Sequence, residues 1–186
     1  GRDFALFGTP DGLAGTGVKT ILTDPFGVLW VGHWGGAISR RTDSAFNTVD
    51  STTLFIKGDV YGFVFDAAGY SWISTFGSGL VRFRQPTSGK FEDITFLKGA
   101  EGLGDQIAAA VRMPDGALVC AVYGLGLRTT SDGTHFEPLN VGNEINPALV
   151  ISLCVANNGQ LIAGDAMGNI VEIDPSSKKT ELLVEG

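Results

Sequence analysis

A glycine-centred segment that occurs four times constrains this 186-residue chain more than any other feature. Each copy has a polar turn, a short apolar stretch, a second glycine turn and the start of another apolar stretch. The glycines of the first turn are spaced 42, 47 and 43 residues apart, at Gly27, Gly69, Gly116 and Gly159. Repetition at about 40–50 residues is typical of repeat folds, and four short strands per repeat are typical of propeller blades.

The apolar stretches within each copy predict four strands. The first stretch begins nine residues before the turn glycine in every copy, at Val18, Val60, Ile107 and Val150. These first stretches are almost continuously apolar or small, which favours burial on both faces near a propeller axis. The sequence therefore predicts an all-β fold, a β-propeller built from four four-stranded antiparallel blades. Their expected bounds are about 18–50, 60–96, 107–140 and 150–185.

The first 17 residues carry a fragment of the same pattern. Phe4 precedes Gly27 by 23 residues, the interval that also separates Phe46 from Gly69. We therefore expect residues 1–17 to hold the outer strand of a preceding blade and the connection that follows it. The chain starts without Met, as a processed or excised piece would. This pattern favours four blades within a larger ring, with a closed four-bladed ring and one half of an oligomeric ring as alternatives.

Composition excludes some partners. The net charge is −7, and Lys and Arg cluster only as two adjacent pairs, whereas phosphate binding needs concentrated positive charge, so nucleic acid is not expected. No apolar run approaches the roughly 20 residues that span a bilayer, so no membrane segment is expected in this chain. An apolar content of 44% with 18% charged residues indicates an ordered domain.

Catalytic and metal chemistry find little support in the sequence. The two histidines, His33 and His135, belong to segments expected at different radii and opposite ends of a propeller, so a histidine-based dyad is not expected. The spacings of zinc sites are absent, and no cofactor or metal is indicated. Cys120 and Cys154 lie in apolar stretches and are expected to be buried free thiols, with a disulfide as the alternative.

Two aspartates of the first turns could be mistaken for a catalytic pair or for calcium ligands. Asp24 and Asp66 each stand three residues before a turn glycine, where a carboxylate accepts hydrogen bonds from backbone N–H groups. We expect them to cap their own turns. The tryptophans that follow them, Trp30 and Trp72, are expected to be core residues packed between blades.

One recurrence favours a binding surface. Aromatic residues stand four positions past the Trp position in three copies, in loops that share one end of a propeller with the connections between blades. Aromatic faces with converging polar groups suit a sugar-like or small polar ligand, while the purely structural interpretation is that the rings cover the hairpins. Because no ion pair is involved, we expect binding to depend weakly on salt. The candidate residues are His33, Trp34, Asp59, Thr75, Phe76, Asp105, Gln106, Tyr123, Asn146 and Asp165.

The unit from Asp11 to Gly36, with Asp24, Gly27 and the stretch 29–32 reading Leu-Trp-Val-Gly, resembles the two-component regulator propeller repeat. The resemblance covers essentially the whole chain and is strongest in the first two copies. Members of that family are typically periplasmic sensor regions of bacterial hybrid histidine kinases, with seven-bladed propellers, and many sense oligosaccharides. The repeat motif carries the fold, and no ligand-binding residue comes with it.

The resemblance implies a non-enzymatic ligand-sensing or binding module of a periplasmic signalling receptor, in a periplasmic or extracellular location. Its expected partners are an oligosaccharide or small polar ligand, and other propeller blades or protein subunits. The first alternative is a structural scaffold for protein–protein interaction. The second is a propeller lyase or hydrolase, which would need a catalytic histidine at the binding end, where only His33 is expected.

Overall fold

In a computed structural model, the alternation of short apolar stretches and glycine turns produces sixteen strands in four antiparallel sheets within the described part of the chain. The structure describes residues 4–42, 45–49, 54–66, 69–84, 91–99 and 102–186. The prediction of an all-β propeller with four four-stranded blades is confirmed. Residues 1–3, 43–44, 50, 67–68 and 85–90, which belong to the predicted bounds, lie outside the described residues. No described helix is long and apolar enough to cross a membrane.

The four blades follow one another along the chain, and in each the strands are hydrogen bonded in sequence order. Blade 1 contains β1 (Val18–Thr23), β2 (Leu29–His33), β3 (Ile38–Thr42) and β4 (Ala45–Val49). Blade 2 contains β5 (Asp59–Phe65), β6 (Tyr70–Phe76), β7 (Leu80–Arg84) and β8 (Glu92–Leu97). Blade 3 contains β9 (Ile107–Arg112), β10 (Leu118–Val122), β11 (Gly126–Thr130) and β12 (Glu137–Pro138). Blade 4 contains β13 (Val150–Val155), β14 (Leu161–Asp165), β15 (Ile170–Ile173) and β16 (Thr180–Val184).

The first turn of every blade needs a glycine. Its backbone φ angle lies in the left-handed region, at 83° for Gly27, 83° for Gly69, 91° for Gly116 and 84° for Gly159. A residue with a Cβ rarely adopts this conformation, so glycine recurs at this one position while its neighbours change. We call the end of the blades that carries these turns the turn end.

The aspartate of the first turn does more than cap the backbone. Asp24 Oδ1 accepts hydrogen bonds from the N–H groups of Phe26 and Val28, both at 2.9 Å. Its other oxygen, Oδ2, accepts from the indole Nε1 of Trp30 at 2.9 Å. Blade 2 repeats the arrangement, because Asp66 accepts from the N–H of Tyr70 and from Trp72 Nε1, at 2.8 and 3.1 Å. The prediction that these aspartates serve their own turns is confirmed.

The tryptophans are core residues, as predicted, with Trp30 0% and Trp72 3% exposed. Trp30 lies among four phenylalanine rings of blade 2, with centroid distances of 5.8–6.3 Å to Phe63, Phe65, Phe83 and Phe91. An arginine on the third strand covers the indole in both blades. Arg40 lies 4.7 Å from the Trp30 ring centroid and Arg82 lies 5.4 Å from that of Trp72.

Three apolar clusters join the blades, one at each of the three junctions. Each connection between blades contributes at least one buried residue to the cluster at its junction. These residues include Leu54, Leu103 and Ile145, exposed by 2%, 2% and 3%. The connections are therefore anchored in the core, which fixes the direction in which the next inner strand begins.

The inner strands form an open arc. β1 contacts β5, β5 contacts β9, and β9 contacts β13, whereas no comparable contact joins β1 to β13, all of whose residues are described. The expectation that all first strands are buried is therefore wrong for β1 and β13. Ile21 is 58% and Ile151 is 47% exposed, because each of these strands has a neighbouring blade on one side only.

Cys154, on β13, is exposed for the same reason, so only Cys120 is the buried thiol that the sequence predicts. Burial raises the pKa of Cys120 to about 12. Both thiols are free, and no disulfide joins them.

The segment 4–17 contains no strand, which corrects the expected outer strand at its start. A strand needs a hydrogen-bonded neighbour, and no described strand pairs with this segment. Instead it lies over the open face of blade 1. Phe7 packs edge-on against Phe46 at 5.4 Å, and the N–H of Ala14 donates to Ser39 Oγ at 2.8 Å. The assignment of residues 1–17 to a preceding blade stays a prediction.

Replacing Trp72 with Ala is expected to lower the free energy of unfolding by about 3–5 kcal/mol, because a large buried side chain is lost. Trp72→Phe keeps most of the volume but removes the N–H bound by Asp66, and is expected to cost about 1–3 kcal/mol. Urea titration measures both, with the 62%-exposed Trp34 replaced by Ala as the control. An unfolding midpoint for Trp72→Ala equal to that of the parent would contradict the core assignment.

Candidate functional site

Every inner strand carries a β-bulge at the equivalent place, directly after the residue that stands nine positions before the turn glycine. In blade 1, Val18 pairs with His33 and Thr20 pairs with Gly32, which leaves Lys19 as the extra residue. A bulge bends the strand and changes the direction of the side chain at the extra position. The extra residues of the four blades are Lys19, Tyr61, Ala108 and Ile151. All four lie at the hairpin end of the arc, the end opposite the turn end.

The bulge residues of blades 1 and 2 join the predicted aromatic residues into one surface. Lys19 Nζ lies 4.8 Å from the ring centroid of Trp34 and 4.2 Å from that of Tyr61. Tyr61 stacks on Phe76 with centroids 5.4 Å apart, and Phe76 lies 5.8 Å from Tyr123. We call these five residues the aromatic band. It crosses three blades, and Trp34 and Tyr123 are exposed by 62% and 41%.

Backbone hydrogen bonds hold the hairpins of the band in position. The N–H of Trp34 donates to the carbonyl of Gly17 at 3.1 Å, and the N–H of Tyr123 donates to the carbonyl of Gln106 at 2.9 Å. Each acceptor directly precedes an inner strand. Phe76 is linked to the next connection by a β-bridge with Gln106. The aromatic residues therefore stand on a backbone that is fixed from both sides.

The predicted polar residues of the connections divide into two groups. Asp59 Oδ1 accepts from the N–H of Gly35 at 2.9 Å, and Asn146 Oδ1 accepts from the N–H of Ala148 at 3.1 Å, so both are engaged in loop structure. The side chains of Asp105 and Gln106 make no hydrogen bond within the described part of the chain. Asp105 is exposed and Gln106 is half-buried, which leaves these two available to a ligand.

Three candidate residues lie in the interior, and the structure corrects their assignment. His33, Thr75 and Asp165 are exposed by 1%, 0% and 6%. They lie at the last or next-to-last position of second strands, where alternation turns each side chain inward while the next residue reaches the surface. Thr75 Oγ1 donates to the carbonyl of Gly79 at 2.7 Å. Asp165 Oδ1 accepts from the N–H groups of Met167 and Asn169, at 2.8 and 3.0 Å.

His33 is buried beneath the segment 4–17. Its Nε2 lies 2.9 Å from Ser39 Oγ, and its Nδ1 is buried without a hydrogen-bond partner among the described residues. Burial lowers the pKa of His33, an effect partly offset by the backbone of Gly17. The side chain is therefore a neutral structural group at neutral pH.

Sequence reasoning missed Lys19 and Tyr61, which connect the band across blades. In the sequence they stand inside apolar stretches and look like ordinary strand residues. The sequence does contain a signal for these two residues. At the second position of the first apolar stretch, the four copies have Lys, Tyr, Ala and Ile, while the positions on either side stay apolar or small. A position that tolerates such different side chains is not part of a repeated core.

The turn end also has cavities. One of about 520 Å³ lies between blades 3 and 4 and is lined in part by Asp115, Asn158 and Asp174. These groups serve their own loops: Asp115 accepts from the N–H of Ala117 and Asp174 from that of Ser176, both at 2.9 Å. Although the turn end has cavities, these two carboxylates that line one of them already accept hydrogen bonds within their own loops.

The second histidine lies far along the fold from the first. His135 is in the loop after β11, at the turn end, where its Nδ1 lies 2.8 Å from Asp132 Oδ2. Hydrogen bonds from His135 hold the pKa of Asp132 well below its usual range, and the bond from the His135 backbone N–H has the largest effect. Within the described ranges, no group of three or more His, Cys, Asp or Glu residues is placed to hold a metal ion.

Comparison with solved structures supports the propeller fold. The extracellular domain of the one-component system BT4673 from B. thetaiotaomicron is 22% identical, with a TM-score of 0.77 over 94% of this chain and 25% of that one. The extracellular domain of the hybrid two-component system BT3049 from the same organism is 23% identical, with a TM-score of 0.71 over 89% and 23%. PorZ, a surface component of the type-IX secretion system of Porphyromonas gingivalis, is 13% identical, with a TM-score of 0.71 over 94% and 28%.

The chain thus spans about a quarter of the length of these solved structures. Two of the three are extracellular domains of signalling systems, the kind of protein that the sequence resemblance implies. No protein-family model and no curated protein matches the sequence. At identities below a quarter, the likeness concerns the fold.

The buried His33 makes stability depend on pH. Because its pKa is lowered in the folded chain, the unfolded chain, with an ordinary pKa of about 6.5, binds a proton that the folded chain does not. The free energy of unfolding is therefore expected to fall as pH decreases from about 7.5 to about 5.5. Urea titrations at both pH values should show that the free energy of unfolding decreases less with falling pH in His33→Gln than in the parent. His135→Gln is the control, and equal losses in parent and His33→Gln would contradict the assignment.

Proposed function

We propose that this chain is a non-enzymatic ligand-sensing module of a bacterial signalling receptor that works in the periplasm or outside the cell. The aromatic band is its binding surface, and an oligosaccharide or another small polar ligand is its target. The observation that carries the proposal is the continuity of the band across three blades, with uncommitted polar side chains beside it. The fold shared with extracellular domains of signalling systems supports the receptor context.

The band has the chemistry that sugar recognition needs. Aromatic rings bury the apolar face of a sugar with little loss of conformational entropy, because each ring has only two side-chain torsions. The half-buried Tyr61 and Phe76 form the rigid centre of the band, and Trp34 and Tyr123 extend it into solvent. Asp105 accepts hydrogen bonds from hydroxyl groups, and the Gln106 amide both donates and accepts.

A glycan screen followed by calorimetric titration tests the proposal. Trp34→Ala and Tyr123→Ala are each expected to weaken the binding of a screen hit by about tenfold, or about 1.4 kcal/mol. Phe26→Ala is the matched control, because Phe26 is 80% exposed and lies in the first turn of blade 1, at the turn end. Parent-like affinity in both band variants, with the fold intact, would place the binding site elsewhere.

A second candidate function is a structural scaffold for protein–protein interaction. It is favoured by the apolar residues exposed on the inner strands at the open side of the arc, such as Ile21 and Ile151. Exposed apolar surface of this kind marks interaction sites in soluble proteins. A terminal blade with one uncovered face is also less stable than an internal blade, which favours a partner there.

Light scattering on the isolated chain tests the scaffold. The chain is expected to associate and to show an apparent mass above the 19.5 kDa of one copy. The double variant Ile21→Lys, Ile151→Lys is expected to lower the apparent mass toward 19.5 kDa. Lys98→Glu, an exposed charge change outside the inner strands, is the control. A stable monomer with a compact radius for the parent chain would remove the support for this function.

A further inference from the structure

Lys19 is a cation positioned by aromatic rings and not by acids. Its Nζ lies within 4.8 Å of the ring centroids of Trp34 and Tyr61, which belong to different blades. Within the described ranges no carboxylate lies at ion-pairing distance from it. An ammonium has three N–H donors, and two rings attract it without accepting strong hydrogen bonds. Lys19 can therefore donate to a third group without losing an existing salt bridge.

The backbone places this charge at one defined point of the band. The bulge between the pairs Val18–His33 and Thr20–Gly32 turns Lys19 toward the hairpin end. The equivalent residues of the other blades are uncharged, namely Tyr61, Ala108 and Ile151. The four bulges thus present a single positive charge, in a chain whose net charge is −7.

We propose that the aromatic band selects anionic saccharides, with Lys19 as the residue that recognises the acidic group. The sugar ring lies on Trp34, and a carboxylate or sulfate of the same ligand accepts a hydrogen bond from Lys19 Nζ. This inference rests on the proposed function and adds the chemical class of the ligand. A uronic-acid oligosaccharide and a sulfated oligosaccharide share the required chemistry.

The charge changes the expected response to salt. A charge-assisted hydrogen bond is about twice as strong as a neutral one, and for a partly exposed group it weakens as ionic strength rises. The weak salt dependence expected from the sequence assumed that no cation belonged to the site. With Lys19 in the band, binding of an acidic ligand weakens with added salt while binding of its neutral counterpart stays constant.

Matched ligand pairs test the inference. The first pair is a galacturonan tetrasaccharide and its carboxyl-reduced form, and the second is a carrageenan tetrasaccharide and its desulfated form. The parent is expected to bind the acidic member of at least one pair about tenfold more tightly than the neutral member, with the difference shrinking at about 0.5 M NaCl. The pair that shows the preference identifies the acidic group as carboxylate or sulfate.

Three variants assign the preference to a residue. Lys19→Met keeps an unbranched side chain between the rings and is expected to bind both members of a pair equally, at the affinity of the parent for the neutral member. Lys19→Arg is expected to retain the preference for the acidic member. Trp34→Ala is expected to weaken binding of both members alike. Circular dichroism confirms that each variant is folded.

The outcomes separate this inference from the proposed function. Equal binding of acidic and neutral members by the parent overturns the selectivity and leaves the aromatic band as a binding surface. A preference that survives in Lys19→Met overturns the assignment to Lys19. Failure of the parent to bind any member, together with an empty glycan screen, overturns both the inference and the proposed function.

Discussion

In each of blades 1 and 2, one aspartate side chain connects the turn, the strand that follows it and the packing between blades. One oxygen of Asp24 receives two backbone N–H groups and shapes the turn, while the other receives the indole N–H of Trp30, which packs against the next blade. A buried indole N–H without a partner would cost about 1–3 kcal/mol, so the two residues depend on each other. Blades 3 and 4 have Val119 and Ile162 in place of the tryptophan. Their turn residues, Asp115 and Asn158, accept hydrogen bonds from the backbone N–H groups of Ala117 and Gln160.

The strands were predictable because their limits are set by local chemistry. β1, β9 and β13 begin at the predicted residues, since the apolar stretch fixes the strand and a glycine with positive φ fixes the turn that follows. The outer strand of blade 3, β12, is only two residues long, with a proline at its end. Outer strands are held by one neighbour alone, so the sequence constrains them less.

Burial was harder to predict than secondary structure, because it depends on which neighbour a strand has. The apolar sequences of β1 and β13 resemble those of β5 and β9, yet Ile21 and Ile151 are exposed. The positions of the candidate residues were also predicted only in part, because they depend on which side chains face inward. Trp34, Phe76 and Tyr123 were placed correctly at one end of the arc, whereas His33 and Thr75 point inward because they precede those rings by one residue on a strand. Lys19 and Tyr61 depend on a bulge that has no residue signature of its own.

The recurring bulge separates what the strand needs for pairing from what it presents to solvent. The residues before and after the bulge make the ladder contacts, and the extra residue has no partner directly opposite it. In blades 1, 2 and 4, where the extra residue reaches solvent, a substitution at that position therefore leaves the sheet intact while changing the charge or size of the surface at the hairpin end. In blade 3 the extra residue, Ala108, is buried. The four copies already hold a cation, a phenol, a methyl group and a branched aliphatic chain there. Ligand preference in such a fold can diverge one residue at a time, with little effect on the stability of the blades.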